Sequence, residues 1–302
     1  MVVAHDHQLI LVDGPNARVL ATTKDPDAHI TYPRWSPDGS RVAFVQASLL
    51  LRLEGDWGDD IFVVDPDTGE QRVLRPHLRA GEQISGMDWT PDGERIVVGI
   101  RQVRVSDSRI EGFDLRIEEY DPETDASRLL VDGATEPSVS RNGRLAYLAV
   151  TSDGSRLLVS ALDGSGAVEL EAARGAAFIF APRIAPDGDA VAFAAPAVAF
   201  MSTPRQPSRV VGVFGWFERV ARLGARSAEA HGVPMDVWRV STDGSPGAVT
   251  PMAEDDPRIA WASNDTLLAV ATGYTYAIDA GGQATPIAAG YFDGSVDVAP
   301  ND

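Results

Sequence analysis

Short runs in which apolar and polar residues alternate recur along the whole chain, each ended by a cluster of Pro, Asp, Asn and Gly. The clearest is Tyr32-Pro33-Arg34-Trp35-Ser36-Pro37-Asp38-Gly39-Ser40-Arg41-Val42-Ala43-Phe44. Pro37 fixes φ for a turn, Gly39 supplies φ > 0 at no steric cost, and Val42 and Phe44 alternate with Ala43 as one side of a strand does. The pattern predicts two short strands joined by a tight turn.

Aligned on Ser36, the turn recurs at Thr90, Ser140, Ala185, Ala262 and Ala299, preceded in order by Trp35, Trp89, Val139, Ile184, Trp261 and Val298. Two residues on stand Asp38, Asp92, Asn142, Asp187, Asn264 and Asn301, types that tolerate tight-turn geometry. The spacings are 54, 50, 45, 77 and 37 residues, with 39 more through the joined ends. A second series of hairpins, over 8–21, 61–74, 115–130, 156–170, 236–249 and 274–287, again numbers six. Periods of this size, with four strands each, predict an all-β, six-bladed β-propeller over residues 1–302. The C-terminal Val296-Asp297-Val298 supplies an innermost strand that Met1-Val2-Val3-Ala4 continues, so one blade is built from both ends of the chain. Closure of this kind removes the open sheet edge of an incomplete array.

Composition narrows the partners rather than the fold. With 44% hydrophobic and 23% charged residues the chain has ample core material. Its net charge of −18 disfavours nucleic acid and anionic membrane surfaces, which reward a basic face. No apolar run reaches the ~18 residues needed to cross a bilayer, so membrane insertion is not expected. The absence of cysteine excludes disulfides and thiolate metal sites. A monomer is expected.

The blade motifs, in Tyr32-Pro33-Arg34-Trp35-Ser36-Pro37-Asp38-Gly39 and Ala181-Pro182-Arg183-Ile184-Ala185-Pro186-Asp187-Gly188, resemble the WD-like repeats of TolB-type propellers and the propellers of prolyl-oligopeptidase-type peptidases. The resemblance spans essentially the entire chain and concerns turn and core residues, so it specifies fold more sharply than function. It implies a binding scaffold and an extracytoplasmic location, periplasmic or secreted.

Loop lengths suggest a working face. In a four-stranded meander wound outward from the axis as strands a to d, the a–b and c–d turns share one face and the b–c and d–a connections the other. The a–b and c–d turns are uniformly short, whereas the b–c connections 46–59, 101–114 and 194–235 are long. The longest, 194–235, places Val213, Trp216, Phe217, Val220 and Leu223 at helical spacing, with Arg219, Arg222 and Arg226 on another side. A short amphipathic helix is expected, either a lid or partner element or one packed over neighbouring loops. Trp57 and Trp216, in insertions, are the tryptophans expected at a contact surface, while Trp35, Trp89 and Trp261 are expected in the core.

All five histidines map to that elaborated face: His5 and His7 in the b–c turn of the closing blade, His29 and His77 in d–a loops, and His231 in the insertion. His5 and His7, with Asp6, Asp25, Asp27 or His29 near, form a candidate zinc site. The acidic stretches 54–60 and 254–256 are raw material for calcium or simply a solvated rim. For catalysis, Gly164-Ser165-Gly166 misses both the spacing and the context of a nucleophile elbow. No cofactor is expected beyond such a divalent ion. The reading is a non-enzymatic protein- or peptide-binding scaffold acting through the b–c face, with Trp57, Trp216, Arg219, Arg222, His29 and His77 as binding residues. The alternatives are a metal-dependent hydrolase or lactonase with an axial-channel site, and a carbohydrate-binding module.

Overall fold

The recurrent turn owes its shape to a side-chain clasp. Ser36 Oγ accepts from the Arg41 N–H at 3.0 Å and donates to Asp38, while Gly39, at φ 70°, donates its N–H to the Ser36 carbonyl at 2.9 Å. Thr90 with Asp92 and Ser140 with Asn142 repeat the arrangement. Neighbouring turns are stitched together: Arg41 Nη2 donates to the Gly93 carbonyl at 2.9 Å and Arg144 Nη1 to that of Gly188 at 2.8 Å.

The structure, a computed structural model, describes residues 1–48, 55–107, 109–152, 154–173, 178–196, 234–245, 247–254, 257–271, 273–289 and 295–300. The chain opens with β1 (Val2–His5), β2 (Gln8–Asp13) and β3 (Asn16–Thr22). Blade 1 follows with β4 (Ala28–Trp35), β5 (Val42–Ser48), β6 (Asp60–Val64) and β7 (Gln71–Arg75). Blade 2 comprises β8 (Glu82–Trp89), β9 (Ile96–Ser106), β10 (Arg109–Asp121) and β11 (Ala126–Asp132). Blade 3 comprises β12 (Ala134–Val139), β13 (Arg144–Thr151), β14 (Gly154–Ala161) and β15 (Val168–Glu169). Blade 4 is β16 (Phe180–Ile184), β17 (Ala190–Pro196), β18 (Met235–Ser241) and β19 (Ala248–Glu254). Blade 5 is β20 (Arg258–Trp261), β21 (Leu267–Ala271), β22 (Tyr274–Ile278) and β23 (Ala284–Ala289). Finally β24 (Val296–Asp297) pairs with β1, Val2 opposite Asp297 and Val3 opposite Val296, completing blade 6 in the order β24-β1-β2-β3. The six-bladed ring, and its closure by the two ends of the chain, are as the repeat predicts.

Alternation along the strands sends side chains to the two faces of each blade, so the core forms between blades. Among the described residues six apolar clusters result, each shared by two neighbouring blades. One packs Val45, Ile61 and Leu74 of blade 1 on Met87, Trp89 and Ile100 of blade 2; another packs Leu148 and Leu157 of blade 3 on Phe193 and Val240 of blade 4.

Three sequence expectations are refined. The b–c connection over 101–114 is two-stranded ribbon, because β9 and β10 continue to pair out to Ser106 and Arg109. His29 is the second residue of β4 rather than a loop residue. The helix expected within 194–235 falls on 197–233, outside the described residues.

Candidate functional site: the axial channel

The inner strands do not run regularly to the axis. In four blades the a–b register shifts at one place, between Thr31 and Arg34, Ile84 and Gly86, Thr135 and Ser138, and Phe180 and Arg183. Tyr32, Glu136 and Ala181 take left-handed φ values of 50°, 52° and 48° at these bulges, and a glycine, Gly86, fills the equivalent place in blade 2. Non-glycine residues reach this region only when the surroundings impose it. The kink re-aims the residue that follows by two.

That residue is Arg34, Asp88, Ser138 and Arg183 in the four bulged blades, with Ala260 and Asp297 in the other two. All six line a cavity of about 340 Å³ that opens among the a–b turns, where Trp35, Trp89 and Trp261 also contribute. One level deeper the channel narrows to about 30 Å³, ringed by Tyr32, Gly86, Glu136, Ala181, Arg258 and Ser295, room for one or a few waters. The mouth volume lies in the range of ligand sites.

Most of the ring at the mouth clasps the next blade. Arg34 Nε donates to the Met87 carbonyl at 2.9 Å, and Asp88 accepts from the Val139 N–H at 2.9 Å and from Ser138 Oγ at 3.2 Å. Ser138 Oγ in turn accepts from the Ile184 N–H at 3.2 Å, and Asp297 from the Trp35 N–H at 2.8 Å. Trp89 and Trp261 reach back through Nε1 to the carbonyls of Arg34 and Arg183, at 3.2 and 2.9 Å. Burial, reinforced by the charge on Arg34, draws Arg183 down to about 9 against the opposing pull of Asp297, Asp88 and Glu136, so it is still charged at neutral pH. Burial raises Asp297, and Arg34 and Arg183 hold it back.

On the opposite face the residues singled out from sequence are largely structural. Trp57 is only 7% exposed; its carbonyl accepts from the Gly81 N–H at 2.6 Å, and Gly58 bridges to Glu82, so residues 57 and 58 lie against the start of β8 with the indole buried. The expectation of an exposed contact tryptophan is corrected accordingly. His77 fastens the same corner, its Nδ1 lying 2.8 Å from Asp60 Oδ1 and its Nε2 3.3 Å from Asp56. Burial draws the His77 pKa down, but the hydrogen bonds and charges of Asp60 and Asp56 outweigh it and the net shift is upward.

His5 lies 3.6 Å from Asp6, and His7 Nδ1 lies 2.7 Å from the Ala28 carbonyl. Burial first and the charge of His7 second lower the His29 pKa. Among the described residues, no group of three or more His, Asp or Glu side chains is arranged to hold a metal ion. Trp216, Arg219 and Arg222 lie outside the described residues.

Sequence reasoning passed over the channel residues. A signal was present in the repeat: two positions before the turn residue, five of the six inner strands carry a polar side chain, Arg34, Asp88, Ser138, Arg183 or Asp297. A polar column at one repeat position marks a shared environment, here the axis.

Six four-stranded antiparallel blades about a polar axial channel make this a six-bladed β-propeller of the TolB type in fold. No family model matches the chain, and no curated protein matches it. Among solved structures it is similar to TolB from Acinetobacter baumannii, with a TM-score of 0.64 at 13% identity over 99% of this chain and 66% of that one. It is similar also to a chain of a nidogen/laminin complex, with a TM-score of 0.62 at 12% identity over 94% of this chain and 90% of that one. The tricorn protease matches with a TM-score of 0.52 at 14% identity, over 95% of this chain but 33% of its own. At such identities the likeness is one of fold.

Proposed function

We propose that the chain is a non-enzymatic scaffold that binds a protein or peptide, holding a segment of its partner in the channel mouth among the a–b turns. The observation that carries this reading is the cavity of about 340 Å³, walled by rigid inner strands and offering aromatic, apolar and charged groups together. A rigid wall lowers the ordering cost of binding. Support comes also from the nidogen/laminin complex, a protein complex that contains a propeller of this shape. Propellers occur in the tricorn protease and in prolyl endopeptidases too, but there this chain matches only 33% and 46% of the whole. We place the protein outside the cytoplasm on the strength of the TolB likeness.

The b–c face is a second contact surface in this reading. The length of the connection between Pro196 and Met235 supports it, with Trp216, Arg219 and Arg222 as its contact residues.

Selection of peptides from a display library on the immobilised full chain tests the proposal. Ser263, exposed on a bend at the rim of the mouth, is changed to Trp to obstruct the opening without entering a blade core. Selected peptides are expected to lose at least tenfold in affinity for Ser263→Trp while its melting temperature is unchanged. Failure to recover peptides, or equal capture by the variant, overturns the site.

A further inference from the structure

Five of the six axis-facing positions at the channel mouth carry a side chain able to hydrogen-bond, and four of the five use it to clasp the next blade. Arg183 breaks the series. It is 8% exposed and lines both the mouth cavity and the narrow one beneath it, yet no described residue accepts a hydrogen bond from its guanidinium or forms an ion pair with it. Arg34, three blades away around the ring, shows the alternative: its Nε and Nη1 are engaged by the carbonyls of Met87 and Pro33, and Asp88 and Asp297 flank it in the adjacent blades. Arg183 has Ser138 and Ala260 in those places.

The Arg183 side chain is held between the two cavities with its nitrogens open to the channel rather than sealed in the core, and an anion that replaces channel water there gains charge-assisted hydrogen bonds between low-dielectric walls. The planar fork of arginine matches a carboxylate with two parallel hydrogen bonds. The ring at this level is already balanced, two arginines against two aspartates, so an anion of single charge disturbs it less than the two charges of a phosphate. We propose that Arg183 is the receptor for a carboxylate that enters the channel from the turn face.

The guanidinium belongs to a residue two positions inward of the turn residue Ala185, about 7 Å along a strand at ~3.4 Å per residue. An extended peptide end, an Asp or Glu side chain, or a small carboxylic acid reaches that depth; a group lying on the rim does not. The inference rests on the mouth being a binding site, and in its peptide form on the proposed function above. It adds the chemistry that the occupant must carry.

The test uses the full chain. Sodium acetate and, at equal ionic strength, its neutral counterpart acetamide are titrated while tryptophan emission reports on Trp35, Trp89 and Trp261 at the mouth. Each selected peptide is measured as the free acid, as the C-terminal amide, and with its Asp and Glu changed to Asn and Gln. The expected result is a saturable response to acetate and none to acetamide, at least a tenfold loss of peptide affinity when its carboxylate is neutralised, and loss of both effects in Arg183→Gln.

A saturable acetate response with no peptide recovered keeps the Arg183 site, assigns it to small carboxylic acids and removes the peptide reading. Peptides that bind equally well charged and neutral, with no acetate response, overturn the Arg183 site and leave the peptide reading standing. If Arg183→Gln does not fold, the wild-type comparisons alone decide.

Discussion

Asp297, in the last strand of the chain, accepts a hydrogen bond at 2.8 Å from the backbone N–H of Trp35 in the first blade. The same clasp joins Asp88 to Val139 and Ser138 to Ile184, so the ring is closed across its sequence break by the device used between its interior blades.

Removing that acceptor leaves the Trp35 N–H without its partner. Asp297→Ala is expected to cost about 1–3 kcal/mol, the penalty for orphaning a buried donor. Asp297→Asn, which keeps an acceptor oxygen, is expected to cost less than half as much. Deleting residues 295–302 should cost more than either, because it also strips the pairing of Val2 and Val3 with β24. Urea denaturation monitored by tryptophan emission measures all three, and equal losses for Asn and Ala would show that the hydrogen bond is not what matters.

Between blades 1 and 2 lies a fully buried ion pair. Arg75 Nη1 and Glu82 Oε1 are 2.6 Å apart with both side chains at 0% exposure, and the Arg75 guanidinium lies over the Tyr120 ring, 5.5 Å from its centroid. Breaking such a pair by removing one member strands the other charge, at a cost of about 3–5 kcal/mol. Glu82→Gln is therefore expected to be among the most destabilising single changes in blade 2. A double change to Met at 75 and Leu at 82 should recover most of the loss, since packed apolar residues need no partner. If the double variant is as unstable as Glu82→Gln, the cost lies in packing rather than in the uncompensated charge.

The sequence made the blades countable because a tight turn needs particular residues: Pro37 with Gly39, Pro91 with Gly93 and Pro186 with Gly188 mark three of the inner-strand turns, and an Asp or Asn stands at the same place in all six. The channel was harder to read. In four blades the axis-facing side chain follows a bulge, at Tyr32, Gly86, Glu136 or Ala181, and a left-handed tyrosine, glutamate or alanine leaves no compositional trace. Arg34 and Arg183 thus read as ordinary motif residues. Trp57 misled for the opposite reason. Its place in an insertion suggested exposure, but the bridge of Gly58 to Glu82 returns the loop to the ring, a long-range pairing that local pattern does not encode.

Asp59 and His77 make stability rise as pH falls from 8 towards 5, and the half-buried His29, whose pKa is lowered, acts in the opposite sense below 6.5. Burial lifts Asp59 to about 6 against the hydrogen bonds it accepts from the Ile84 and Ser48 N–H groups. A carboxyl whose folded pKa exceeds its unfolded value binds its proton more tightly when folded. Stability is then gained as pH drops from about 6 to about 4, by up to about 3 kcal/mol, since each pH unit between the folded and unfolded values is worth about 1.4 kcal/mol. His77, with its pKa raised, stabilises the fold below its unfolded value of 6.5, and that contribution is lost as pH rises through the folded value. Below pH 4 the slope reverses, because Asp38, held at about 2 by the hydroxyl of Ser36 and by Ser40, loses its contribution as it protonates. Denaturation midpoints at half-unit intervals should trace this profile. Asp59→Asn should flatten the limb between pH 4 and 6, and His77→Gln the limb above 6.5; an unchanged profile in both would assign the dependence to other groups.

The three tryptophans that precede a turn residue are equivalent in the repeat but not in their bonding. Trp89 and Trp261 donate Nε1 to the carbonyls of Arg34 and Arg183 in the preceding blade, whereas Trp35 Nε1, whose preceding blade is the closing one, has no partner among the described residues. Replacement by phenylalanine removes ring volume at each site but an inter-blade hydrogen bond at only two. Trp89→Phe and Trp261→Phe are expected to cost about 1 kcal/mol more than Trp35→Phe, the worth of a typical buried hydrogen bond. In the wild type, an unbonded indole N–H at position 35 also predicts easier replacement there by other large apolar residues, which thermal melts of Trp35→Phe and Trp35→Leu beside the matching Trp89 variants would measure. Equal losses at the three positions would mean that ring packing alone holds them, and that the backward clasp contributes nothing to joining one blade to the next.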